Sequence, residues 1–574
     1  MLVTFFFLFF LSSFIILFFF LLGFQIFMWK LGCYKVLGNV FSIYKFVIVG
    51  MMIFFEVFFL GYIGFNLDVF LEFNLWFNYG FSLTFDIYST IFFFFAMVVS
   101  WSIMQFGLDY MVEENGVGSF LMFLLIFLML MFILVFSGNF FILFVGWEGV
   151  GLMSFVLISW WGSRYEASSG SLQAVYYNRV GDAGLMMFLC YSLVWGNGLL
   201  IMNNFMTGVL FVMFLLGVIA KSSQLMFHPW LPNAMEGPTP VSSLLHSSTM
   251  VMAGVYLLMR TLHYFQYGNL VFFFGMLTCM LGGVIGMSHV DFKKVVAYST
   301  TSQLGFMMMV LGAGWSWLCL LYMMIHAFFK AMIFMMSGVV IHMSGGIQDF
   351  RHMFSSLIIN KLMYYFYFVG GVVMMGFPFL SAFWMKDIIL EGLMGSHLGL
   401  LTWFFFFFCI MLTGLYSLRL FFGGFLQDLV ISNKVMFLKS LISFYPFIRL
   451  ILLSLFGGSL LFVYFGPFSH FFLCLMDKYF ALLMLILSGL LMMLFMKLMK
   501  GLVGVIGGYG LFFNPMWHKM ISYMGYGIGY VSMLFDFLIM EFLFFKGLNY
   551  FWNMGNFLRF FLMIFFFFLI FLLL

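Results

Sequence analysis

The sequence predicts an all-α polytopic membrane protein, and three features carry that prediction. Of its 574 residues 66% are hydrophobic and only 7% are charged, and the mean hydropathy of +1.18 lies well outside the range of soluble globular chains. The apolar stretches run unbroken for roughly 20 residues, the length a helix needs to cross a hydrocarbon core about 30 Å thick. They do not alternate at period two, which excludes a transmembrane barrel.

Successive apolar windows place about 16 spans, at residues 2–27, 38–60, 88–109, 117–136, 138–161, 173–196, 205–227, 240–262, 268–288, 295–313, 316–343, 364–390, 400–422, 445–465, 479–499 and 556–574. The opening run MLVTFFFLFFLSSFIILFFFLLGF is too long for a signal h-region and has no small-residue cleavage site, so it is expected to stay as the first span. Between the second and third spans, FNLDVFLEFNLWFNYGFSLTFDIY alternates and carries an Asn-Tyr-Gly turn, which predicts a short extramembrane hairpin. Pro229 and Pro232 follow Lys221, and Pro378 precedes Lys386. Each proline removes a backbone donor, and broken backbone at membrane depth survives only where protein buries it or water reaches it. Spans 7 and 12 are therefore expected as broken helices, each with a lysine, in the relation seen in inverted-repeat transporters. After Lys500 a Gly-rich stretch leads to a segment with Asp536, Glu541 and Lys546 at near-helical spacing among aromatics. That pattern suits a long helix along the membrane surface, with another tilted span as the alternative.

Several functions are excluded by what the chain lacks. Its 23 basic and 19 acidic residues include no basic arm, which argues against nucleic acid. Cys33, Cys190, Cys279, Cys319, Cys409 and Cys474 are widely separated without a C-x-x-C pair, so they read as small buried hydrophobes and not as iron–sulfur or zinc ligands. His246, His263, His289 and His326 show no pairing suited to a haem, and there is no G-x-G-x-x-G or Walker loop for a nucleotide. The 93 Phe and 54 Met fit a T-rich genome read with an additional Met codon, as in animal mitochondria.

A charge within a span is costly and marks a functional site by default. Glu148 lies in the middle of the fifth span, in GWEGVG. Arg179 and Asp182 share one face of the sixth, either as a self-neutralising pair or as part of the site. Lys221 has no acid near it in sequence, so its counter-ion is expected on another helix, with Glu148 the candidate. His246, then His326 with Lys330 one turn on, then Lys386 beside Asp387 continue the series. Histidine titrates near neutral pH and desolvation brings lysine toward it, so this succession reads as a proton relay. His246 has the alternative of a satisfied core residue, and His228 that of a partner for backbone freed by Pro229.

The stretches HPWLPNAMEGPTPVSSLLHSSTMVMAGVYLL, DFKKVVAYSTTSQLGFMM and HAFFKAMIFMMSG resemble the antiporter-like subunits of respiratory complex I, from about residue 85 to 425 and again in the tail. The resemblance implies N-terminal helices over residues 1–116, two inverted five-helix repeats over 117–262 and 263–425, and C-terminal helices over 426–500. It further implies a lateral helix over 501–555 that braces neighbouring antiporter-like subunits, and an anchor helix over 556–574. By motif match the family's glutamate falls on Glu148, its broken-helix lysines on Lys221 and Lys386, and its central relay on His246, His326 and Lys330. Arg179, Asp182, Tyr322, Asp387, Pro229 and Pro378 are the expected supporting residues. Many members carry a histidine one turn before HAFFK, where this chain has Tyr322, so ordered water is expected to take a larger part in transfer. The implied function is that of a core membrane-arm subunit of proton-pumping NADH:ubiquinone oxidoreductase in the mitochondrial inner membrane. NADH, FMN, iron–sulfur clusters and ubiquinone would react in partner subunits, since this chain carries no redox centre. A stand-alone multi-subunit cation/proton antiporter shares the same core and is the alternative. A passive strut would explain the lateral helix but not the buried charges.

Overall fold

In the computed structural model the chain divides into two compact units, residues 1–511 and 512–574. The structure describes residues 69–73, 81–111, 114, 116–194, 208–261, 267–344, 346, 348–349, 361–378, 380–395, 399–425 and 444–465, all in the first unit. The expected spans at 2–27, 38–60 and 479–499, the lateral helix and the anchor lie outside these residues.

Two strands, β1 (Val69–Phe73) and β2 (Phe81–Phe85), pair antiparallel with Val69 opposite Phe85 and Phe73 opposite Phe81. The other regular structure described is helical. The first group is α1 (Ile87–Tyr110), α2 (Val117–Val135), α3 (Phe140–Ile158), α4 (Tyr165–Val194) and α5 (Gly208–Lys221). Two short pieces, α6 (Trp230–Ala234) and α7 (Thr239–Val241), then run through a π-helical turn, Ser242–His246, into α8 (Met250–Thr261). The rest are α9 (Gly268–Ser288), α10 (Phe292–Gly312), α11 (Ser316–Met343), α12 (Lys361–Met375), α13 (Ser381–Gly395), α14 (Gly399–Phe425) and α15 (Tyr445–Phe465). Seven described segments are long and apolar enough to cross a membrane: α1, α2, α3, the continuous run Thr239–Thr261, α9, α10 and α11. The chain is thus a helical, multi-pass membrane protein.

The interior is built from α8, α10 and α11, which are almost wholly enclosed, whereas α2 and α3 keep half of their surface on the outside. Between apolar helices there is little hydrophobic drive, so close packing through small residues has to hold them. On α9 and α10 the glycines do this: a Cβ on Gly305 would stand 2.5 Å from Cys279 N and 2.7 Å from Gly275 O. Arg260, at the end of α8, ties together the starts of α1 and α3. It donates to Asp86 at 2.7 Å, Thr84 Oγ1 at 2.6 Å and the carbonyls of Ser137 and Val135 at 2.9 and 3.2 Å.

Both breaks have local causes. The helix α5 stops at Lys221, and Ser223 and Met226 take positive φ, 47° and 74°, an uncommon conformation for residues with a Cβ. The expected span at 364–390 splits into α12 and α13 around Gly376, whose φ of 82° is open to glycine at no steric cost. The loop beyond α6 is latched to the start of α10. Lys294 Nζ reaches Asp291 at 3.0 Å and Glu236 at 3.3 Å, while Lys293 Nζ donates to the carbonyls of Gly237 and Met235 at 3.2 and 3.4 Å. Burial by itself would raise the Asp291 carboxyl, but a hydrogen bond with Asp349 and the charge of Lys294 hold it below its ordinary value.

Two outcomes follow from this packing. Gly305→Ala should force α9 and α10 apart and cost about 1–3 kcal/mol, read as a lower melting temperature of the purified assembly. Because the Asp291 carboxyl titrates lower when folded than when unfolded, its contribution is present above the ordinary carboxylate value of 3.8 and is lost as pH falls through the folded one. The melting temperatures of wild type and Asp291→Asn should therefore differ near neutral pH and converge in acid.

Candidate functional site

Glu148 sits midway along α3 and Arg179 midway along α4, and the two form an ion pair at 2.6 Å. Successive helical residues diverge by about 100°, so Glu148 turns toward Arg179 while its neighbour Trp147 points inward to α5. Trp147 is fully buried. Its indole Nε1 donates to Asp182 Oδ1 at 2.8 Å, and its carbonyl oxygen accepts from Lys221 Nζ at 3.0 Å. The same ammonium lies 5.2 Å from the centre of the Trp147 ring, within cation–π reach. No carboxylate among the described residues forms a direct ion pair with Lys221. Glu148, expected as its counter-ion, instead makes its ion pair with Arg179, and Asp182 is linked to Lys221 only by way of Trp147. The expected Arg179–Asp182 contact is present only as a long pair, at 4.0 Å, because Glu148 takes the guanidinium.

His246 is delivered by the π-helical turn, a departure from α-helix that is frequent at functional sites. Ser248 and Thr249 donate to Leu244 O at 3.0 and 2.7 Å, satisfying a carbonyl the wider turn frees. The His246 ring lies 5.8 Å from that of Trp230, and the side chain is enclosed. His326 and Lys330 share one face of α11, both fully buried, and Lys330 Nζ donates to Ser299 Oγ on α10 at 2.5 Å. The His326 ring lies against the Ser247 backbone. Among the described residues neither ring nitrogen of His246 or His326 makes a hydrogen bond of ordinary geometry, and the same holds for both amide atoms of Gln224 and for His228 Nε2. Buried polar atoms of this kind are ordinarily satisfied by internal water, so this axis is suited to hold it.

Lys386, near the start of α13, closes the second break. Its Nζ donates to the last carbonyls of α12, Met374 at 3.1 Å and Met375 at 3.2 Å, and to Thr413 Oγ1 on α14 at 3.2 Å. A helix C-terminus carries partial negative charge, so it stabilises this ammonium without a carboxylate. Asp387 follows on α13 and is partly exposed. Pro378 lies in the link between α12 and α13, and Pro229 immediately before α6. Tyr322 donates to Gln303 Oε1, Gln303 Nε2 donates to the Tyr416 hydroxyl at 2.5 Å, and Ser302 donates to that hydroxyl at 3.1 Å. Among the described residues no three His, Cys, Asp or Glu side chains group as a metal site.

The structure thus places Lys221, His246, His326, Lys330 and Lys386 in the enclosed interior, and sets Glu148 and Arg179 on the outer face of α3 and α4. Sequence reasoning missed Trp147, Ser299, Gln303, Thr413 and Tyr416. The polar run YSTTSQ inside an otherwise apolar span was a usable signal for Ser299 and Gln303; Thr413 and Tyr416, on a Phe-rich helix, left none.

The family model of the membrane part of NADH:quinone oxidoreductases and Mrp antiporters matches residues 137–413. The NADH-ubiquinone oxidoreductase chain 5 of Myxine glutinosa is 37% identical over 457 residues, covering 76% of this chain and 75% of that protein. That of Branchiostoma lanceolatum is 44% identical over 318 residues, 54% of this chain and 53% of the relative, so this match spans about half the length of the curated protein. A chain of the Mrp complex from Dietzia sp. superposes with a TM-score of 0.71 at 22% identity, covering 85% of this chain and 57% of that one. A chain of an archaeal membrane-bound sulfane sulfur reductase superposes at 0.63 and 19% identity, covering 72% of each. At these identities the two structures show a shared antiporter-like fold.

The pairing of Glu148 is directly testable. Its carboxylate stretch, assigned in infrared spectra against Glu148→Gln, should move in Arg179→Met and stay in place in Lys221→Met.

Proposed function

The chain belongs to the NADH-ubiquinone oxidoreductase chain 5 family, and from that premise we propose that it moves protons across the mitochondrial inner membrane as an antiporter-like subunit of proton-pumping NADH:ubiquinone oxidoreductase. One observation carries the reading: two buried lysines, Lys221 and Lys386, each stand at a helix break with the ammonium on backbone carbonyls, and buried His246, His326 and Lys330 belong to the helices between them in the chain. In this reading the breaks at α5 and at α12–α13 are the centres of two inverted five-helix repeats, and the titratable side chains hand protons from one to the other through water. Electron transfer from NADH through FMN and iron–sulfur clusters to ubiquinone belongs to partner subunits.

The energetics are adequate for one carrier. Moving a charge against 100 mV takes about 2.3 kcal/mol, and a swing of roughly two pK units supplies about 2.7 kcal/mol. Assembly with neighbouring antiporter-like subunits is supported by the outer ion pair. Arg179 is 51% and Glu148 30% exposed at mid-helix, and charges at that depth are costly against lipid, so a polar neighbour would cover them. The alternative, a stand-alone cation/proton antiporter subunit, shares the fold but is less similar in sequence than the chain 5 relatives.

Lys221→Met tests the proposal. The variant enzyme should assemble, yet translocate at least tenfold fewer protons per NADH oxidised; a scaffold subunit would tolerate the change with an unaltered ratio.

A further inference from the structure

We propose that Trp147 is a positioning residue that couples the charge on Asp182 to the proton held by Lys221, an inference that rests on the relay reading above. Trp147 meets the site through three separate parts of one residue. The indole N–H holds Asp182 at 2.8 Å, the ring face lies 5.2 Å from the Lys221 ammonium, and the carbonyl oxygen accepts from that ammonium at 3.0 Å. The Trp147 side chain is fully enclosed, so its contacts are shielded from bulk solvent.

The two Asp182 oxygens face rival donors. Oδ1 is bound by Trp147, whereas Oδ2 is 4.0 Å from Arg179 Nη1, the nitrogen that Glu148 engages at 2.6 Å. While Glu148 occupies Arg179, Asp182 stays with Trp147 and its charge acts on Lys221. When Glu148 releases Arg179, the guanidinium becomes free to draw Asp182 away, and the indole N–H sets how strongly that is resisted. Among the described residues the charged groups near Lys221 are Asp182, Arg179 and Glu148, and these make up the switch. The ring alone would not do this, because the tether is the N–H.

The test uses the whole assembled enzyme in membrane vesicles, with protons translocated per NADH oxidised measured across pH. Trp147→Phe keeps the ring face and the carbonyl but loses the N–H. With Asp182 no longer held, the ammonium of Lys221 loses support, and the alkaline limb of translocation should move about one pH unit toward acid. Asp182→Asn should shift it the same way, and the double variant should shift no further than Asp182→Asn by itself. A uniform loss at every pH in Trp147→Phe, or full additivity in the double variant, overturns the proposal. If Trp147→Phe does not assemble, Asp182→Asn carries the test by itself: the acid shift is expected, and an unchanged profile overturns the proposal. Lys221→Met distinguishes the two levels, since an unaltered ratio there refutes the relay reading itself.

Discussion

An ammonium ion in an apolar interior must find oxygen, and this chain places its two lysines at helix breaks to reach it. A carbonyl inside an intact helix already accepts from its own backbone and has one lone pair to spare, whereas the end of an interrupted helix leaves its last carbonyls free. Lys386 takes the last carbonyls of α12, and Lys221 ends α5 and reaches across to a carbonyl of α3. The positive φ angles at Ser223 and Met226 are the backbone cost of ending α5, whereas glycine at position 376 takes its positive φ without strain. The breaks, the lysines and the strained residues are one arrangement seen from three sides.

The rest of the interior follows from the same scarcity of partners. Hydroxyls on α10 mostly bond back to carbonyls three residues earlier, and Ser299 also accepts from Lys330. Among the described residues the ring nitrogens of His246 and His326 make no hydrogen bond of ordinary geometry, which leaves them open to internal water instead of locking one tautomer. Tyr322 is different: it is bonded to Gln303, whose amide also binds Tyr416. An amide passes on a hydrogen bond but not readily a proton, so this trio braces α10, α11 and α14 beside the histidine axis.

Much of this was legible in the sequence. Apolar runs of span length located α9 and α11 to within a residue or so, and the prolines after Lys221 and before Lys386 marked both breaks. The candidate carriers could be picked out because charge is so rare in this composition. What the linear pattern could not reach was partnership. Glu148 and Asp182 are both acids at the depth of Lys221, and choosing between them depends on how α3 and α4 are rotated about their axes.

Composition and periodicity determined that the chain is a helical membrane protein with titratable groups inside it, because burying apolar surface in lipid leaves no other use for such residues. The tertiary structure alone decided that Glu148 binds Arg179, that Asp182 binds Trp147, and that Trp147 carries Lys221 on its carbonyl. Those contacts join residues 31 to 74 positions apart. They are set by helix rotation and close packing, which no spacing within a single helix encodes.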